Sequence, residues 1–199
     1  MSKKKKDSLI QTIIKGPSLG YTDNFPKRHI WREIAKELNG EFKIKHNSGN
    51  ELEIHNVTIP YKQFEFFISI SDTRPLKFQS SFRPIIDFNL VISWEDFIER
   101  IIKKFGKPEI QLGRKEFDNH YLIKSNRSDI VRRVFTNEIQ KTMLKHNIYS
   151  ISYETDMKKH KSNLVSVIQR QVGDKEEIFE LIDMFKLLID NLEKTKVIK

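Results

Sequence analysis

The sequence has no cysteine and a single alanine, Ala35, in 199 residues. The missing thiols exclude disulfide scaffolds, cysteine nucleophiles, Cys-ligated zinc and iron–sulfur clusters, and they fit a reducing cytoplasm. Seven glycines and six prolines are too few for a collagen-like or proline-rich chain. No apolar run approaches the roughly 20 residues of a membrane helix. Gly106, Gly113 and Gly173 stand apart, so neither a dinucleotide fingerprint nor a P-loop is present and no nucleotide cofactor is expected. The six histidines, His29, His46, His55, His120, His146 and His160, form no His-x-His or His-x-x-x-His pair, and no metal is expected either. The one nonlocal pairing worth weighing is His46 with His55, across a hairpin turning at residues 47–50.

What the sequence has in excess is positive charge. Lys and Arg number 36 against 27 Asp and Glu, a net +9. The excess is uneven: residues 1–45 carry +6, 46–100 carry −3, 101–150 carry +6, and 151–199 are neutral. Four charges of the first segment are the run Lys3 to Lys6, which precedes any apolar periodicity and reads as a disordered, solvated tail. Lys outnumbers Arg 26 to 10, and lysine is the poorer residue for bidentate contacts to phosphate or guanine. A Lys-biased surface is therefore preferred to a dedicated nucleic-acid face. Ser2 excludes N-myristoylation, and the short apolar stretch after the tail is not a signal peptide, so the expected location is the cytoplasm.

Periodicity then divides the chain. From Pro26 to Leu38, Ile30, Trp31, Ile34, Ala35 and Leu38 repeat at helical spacing before Asn39-Gly40. From Glu41 to Ser93 the period becomes two, with about five strands separated by turn-like breaks, which predicts a hairpin-rich antiparallel meander. Ser93 with Asp96 resembles a capping box for a helix carrying Trp94, Phe97, Ile98, Ile101, Ile102 and Phe105. Short strands are expected around Glu109 to Leu112 and Tyr121 to Lys124. A helix opened by Asn126 and another opened by Thr136 follow. Strands Ile148 to Glu154 and Leu164 to Gln171 flank a basic turn. A long helix from Asp174 closes the chain, with Glu177 completing a capping box. The class is α+β: an antiparallel meander sheet covered by amphipathic helices, with one wet face and a long C-terminal helix. Residues 1–25 are read as basic tail and loop, and 26–199 as one domain.

The densest polar cluster, Arg114 to Tyr121, sets Asp118 and His120 on one face if the segment is extended, the raw material of an acid–base pair. No serine elbow or second acid accompanies them, and Asp118 suits a turn cap with Phe117 as its core anchor. The same stretch resembles a family of uncharacterised bacterial proteins with a core of FG-x-x-x-I-x-x-G, EFD and F/Y-x-I/V-x-S. Here these positions are Phe105-Gly106, Ile110, Gly113, Glu116-Phe117-Asp118, Tyr121, Ile123 and Ser125, with Val134-Phe135-Thr136 at a following turn. The likeness spans about residues 90–145. Members of that family often carry membrane-spanning segments upstream, and none stands in this sequence. The resemblance brings no established activity and implies that EFD is a recurring turn-and-core device.

Three functional readings follow. The leading one is a non-enzymatic domain that binds a protein partner or a small ligand in an apolar cleft between sheet and helices. The second is weak electrostatic binding of nucleic acid through Lys103, Lys104, Lys107, Arg132, Arg133, Lys158, Lys159 and Lys161. The third is an enzyme built on Asp118 and His120.

Overall fold

A computed structural model describes residues 23–47, 52–94, 110–168 and 172–199. The Lys3–Lys6 run, the apolar stripe Phe97 to Phe105, Gly106, and Lys103, Lys104 and Lys107 lie outside the described residues.

A 3-10 turn, Phe25–Lys27, uses Pro26 where no backbone donor is needed and runs into helix α1, Arg28–Glu37. Helix α1 buries Trp31, Ile34 and Ala35 against the first two strands. Asn39 ends it with φ 52°, and Gly40 then passes so close to β2 that a Cβ would stand 2.4 Å from the Thr58 carbonyl oxygen. Strands β1, Glu41–His46, β2, Glu53–Tyr61, β3, Phe64–Ser71, and β4, Leu76–Phe82, pair in succession as an antiparallel meander.

The expected meander of five strands stops there. β5, Leu90–Trp94, does not pair with β4; it lies beyond the hairpin of β7, Ser150–Asp156, and β8, Lys161–Ile168. The eight antiparallel strands run β1-β2-β3-β4-β8-β7-β5-β6, with β6, Tyr121–Ser125, at the far edge. Alternation marks a segment as strand but says nothing of its partner, so this crossover could not be read from spacing. Ser93 also differs from expectation. It is a ladder residue paired with Ser150 and Leu122, and not a helix cap.

Helices cover one face of the sheet. α2, Lys115–His120, precedes β6; α3, Ser128–Val134, and α4, Asn137–Lys145, follow it. The long helix α5, Lys175–Lys194, buries Ile178, Leu181, Ile182, Phe185, Leu188, Ile189 and Leu192. Phe185 sits with its ring centroid 5.4 Å from Phe66 and 5.5 Å from Phe78. Asp174 caps α5 by accepting the Glu177 amide at 2.8 Å. Asn126 does not cap α3. Its side-chain oxygen accepts the Asn89 amide at 2.8 Å, tying the α3 entry to the segment before β5. The expected strand at Glu109 to Leu112 is a coil over residues 110–112, where Ile110 donates one amide hydrogen bond to Ile123.

The opposite face is wet only in part. Over β1 to β4 it carries Lys43, Asn56, Thr58, Phe67, Lys77 and Gln79, but over β5, β7 and β8 it carries Val91, Ser93, Ser150, Ser152, Val165 and Val167, none more than 2% exposed. Among the described residues no helix is long and apolar enough to cross a membrane.

Candidate functional site

Asp118 and His120 do not form the extended pair. They lie in helix α2, where residues two apart point about 200° from one another. Asp118 spends both carboxylate oxygens on backbone donors, accepting from Leu112 and Gly113 at 2.8 Å each. Gly113 has φ 92°, so the loop turns through a left-handed residue that the Asp118 carboxylate holds in place. His120 packs its ring against Trp94 and Tyr121, with centroids 5.7 and 4.8 Å away. Phe117, Tyr121 and Ser125 are also structural. Phe117 is fully buried, the Tyr121 hydroxyl donates toward the Ile148 and Met143 carbonyls at 2.7 and 3.1 Å, and Ser125 donates to the Asn89 carbonyl. Burial pushes the Tyr121 phenol well above its ordinary range.

The described basic candidates divide between two places. Arg132 and Arg133 are exposed on α3, where Arg133 and Arg127 both turn toward Asp129. Lys158, Lys159 and Lys161 lie at the β7–β8 turn, and Lys159 pairs with Asp156 at 2.9 Å. The hollow beside that turn, about 500 Å³, is lined by Asp87, Glu154 and Asp156 as well as Lys158 and Lys159. Carboxylates interleave with the cations in both places, which weakens the potential a polyanion would meet.

Two polar clusters escaped the sequence because their members are far apart in the chain. At the start of α1, Arg28 grips Glu53 through Nε at 2.6 Å and Nη2 at 2.5 Å, and Glu53 also meets His55 Nε2 at 2.5 Å. Asp72 beside them accepts the Glu53 amide and both the amide and side chain of Asn24. The guanidinium holds the Glu53 carboxyl down at about 2. His55 is 1% exposed, packed edge-on to Phe42, and the ladder sets it opposite Ile44 while His46 stands opposite Glu53. At the other end, buried His146 places Nδ1 3.0 Å from Glu177 and Nε2 2.6 Å from Glu180, joining the end of α4 to the first turns of α5. Both clusters clamp helices to their neighbours.

The described surface has hollows of two kinds. Between α4, α5 and the β2–β3 hairpin runs a furrow of about 640 Å³ lined by Tyr61, Lys141, Lys145, Glu180, Asp183 and Asp190, among others. Its charges largely answer one another: Lys145 pairs with Glu180, Lys186 with Asp183, and Tyr61 donates to Asp190. The second kind is a hollow of about 290 Å³ on the outer face of the sheet, lined by Ile54, Ser69, Ile70, Ser71, Arg74, Pro75, Lys77 and Val167. No carboxylate is among these residues. Lys77 lies between Ser69 of β3 and Val167 of β8 in the ladder, half-buried, and no described carboxylate pairs with it. Burial alone lowers the pKa of its ammonium. Phe67, 41% exposed, projects from the same face two residues from Ser69. Sequence parity places Lys77 outward between Leu76 and Phe78; its burial has no local signal in the sequence.

No protein-family model matches the chain, and no curated protein matches it. Among solved structures it is similar to the mycobacterial trehalose monomycolate transport factor A, TtfA, at 10% sequence identity over 84% of this chain and 95% of that one, with a TM-score of 0.53. That likeness is one of fold.

Proposed function

We propose that the chain is a non-enzymatic domain that binds a partner or a small ligand, and that its binding surface is the outer face of β2, β3, β4 and β8. The observation that carries this reading is the hollow at Ile54, Lys77 and Val167, an apolar depression with a cation that no described carboxylate pairs, beside exposed Phe67. Apolar surface gathered in a concavity with one oriented polar group is the usual composition of a ligand site. Asp118 serves the backbone, which leaves the acid–base reading without its acid. The name of the mycobacterial neighbour describes a transport factor, a handling role that accords with binding in place of chemistry. The resemblance of residues 90–145 to the uncharacterised bacterial family points the same way, since Phe117, Asp118, Tyr121, Ile123 and Ser125 of its motifs do structural work.

Methyl-resolved NMR tests the surface. With Ile and Val methyls labelled, the full chain titrated with a panel of small neutral, anionic and cationic amphiphiles should move Ile54 and Val167 together, and F67D should weaken the effect. A panel whose members perturb only the α4–α5 furrow, or nothing, overturns the assignment.

A further inference from the structure

We propose that the hollow beside Lys77 takes a monoanionic organic ligand, a carboxylate on a small apolar body, with the charge neutralised by the Lys77 ammonium. This rests on the binding-surface reading above and adds the chemistry of the ligand.

The lining sets the class. Lys77 supplies positive charge, with Arg74 at the rim; Ser69 and Ser71 supply hydroxyls, and Ile54, Pro75 and Val167 supply apolar wall, with no described acid in the set. The other two hollows differ in kind. The α4–α5 furrow contains Glu138, Glu180, Asp183 and Asp190 beside its lysines, and the β7–β8 hollow contains Asp87, Glu154 and Asp156. An ammonium removed from water without a counter-charge is unfavourable, and such groups are ordinarily paired. At Lys77 no described carboxylate does so, and an anion arriving from solution would recover that loss.

Charge number and size narrow the ligand further. Lys77 offers one unit of charge on the sheet floor, while Arg74 stands exposed at the turn after β3 and has an interaction of its own. The sheet floor offers no free donors, because the ladder from Ser69 through Lys77 to Val167 is paired on both sides. A phosphate dianion needs several donors or a second cation, whereas a carboxylate is served by one ammonium and the neighbouring hydroxyl of Ser69 or Ser71. The volume of about 290 Å³ stands at the small end of ligand sites, fitting a short apolar body and excluding a large one.

The full chain titrated with octanoate, octanol, octylammonium and octyl phosphate provides the test, read by the Ile54 and Val167 methyls and by the ε-carbon resonance of Lys77 in 13C-lysine-labelled protein. Octanoate should bind tightest and raise the pH midpoint of the Lys77 resonance. K77M and K77Q, each checked for folding by circular dichroism, should weaken octanoate roughly ten- to a hundredfold and leave octanol within about twofold. Equal binding of octanol or octylammonium, retained octanoate affinity in K77M, or an unmoved Lys77 midpoint overturns the carboxylate assignment while the surface remains a binding surface. Tighter binding of octyl phosphate overturns the monoanion. Silence from every probe at these methyls overturns both readings.

Discussion

Glu53 stands between a guanidinium and an imidazole, and its side chain is only 11% exposed. Its carboxyl is held at about 2 against an ordinary 4.5, first by the Arg28 hydrogen bond. A carboxyl whose pKa is depressed in the folded state adds stability that is complete above its unfolded pKa and lost as the pH falls through the folded one. The melting temperature should therefore decline from about pH 5 toward about pH 2, and E53Q should flatten that decline. At neutral pH E53Q should cost about 2–3 kcal/mol, less than the ~3–5 of a fully buried broken pair because the Arg28 side chain is 29% exposed. Equal pH profiles for wild type and E53Q in thermal melts would refute this. Lys62 shows the contrary case: Asp190 and Glu193 raise its pKa, whereas burial without a partner lowers that of Lys77.

At the scale of elements, α5 carries the covering layer. Its apolar stripe, recognisable from Ile178 to Leu192 by spacing alone, meets the sheet through Phe185 between Phe66 and Phe78. F185A removes a fully buried ring from that contact and should destabilise by about 3–4 kcal/mol, measured by denaturant titration. D174A loses only the cap on the Glu177 amide and should cost about 1 kcal/mol. A reversed order of these two losses would show that α5 is held mainly by its terminus. The β3 and β4 strands were equally legible, their inward side chains alternating from Phe64 to Ile70 and from Leu76 to Phe82, whereas β2 runs on through Pro60 and turns His55, Val57 and Ile59 inward, opposite in phase to Leu52 and Ile54. β5 was legible as a strand but not in its place. The alternation of Ile86, Phe88, Leu90 and Ile92 extends upstream of the ladder, which begins at Leu90 because Asp87 and Asn89 bond to Asn126 and Thr155 outside any strand pair.

At the scale of the whole molecule, the eight-stranded sheet of the described residues and their core cluster, reaching from Trp31 to Ile198, join the two halves of the chain. Val197 and Ile198 are themselves buried, with Ile85 donating to the Val197 carbonyl and Pro84 bridging Ile198. Shared burial of this kind makes unfolding cooperative. The two tryptophans report on opposite ends of the sheet, Trp31 over β1 and β2 and Trp94 at the end of β5. In W94F and in W31F, the remaining tryptophan's fluorescence and the far-ultraviolet circular dichroism should give one denaturant midpoint. Midpoints that separate within a variant would divide the sheet into two folding units.

From the sequence came the α+β class, the first and last helices and the inward faces of β3 and β4, because periods of 2 and 3.6 are local properties of a chain with one apolar side. It determined the absence of thiol chemistry and of clustered glycines as well. Tertiary structure decided the rest. It placed β8 against β4, drew Arg28, Glu53, His55 and Asp72 into one clasp, set Asp118 to hold a backbone turn, and enclosed Lys77 between strands distant in the chain. Pairing, desolvation and charge compensation all depend on neighbours brought together by folding, so no spacing within the chain could have announced them.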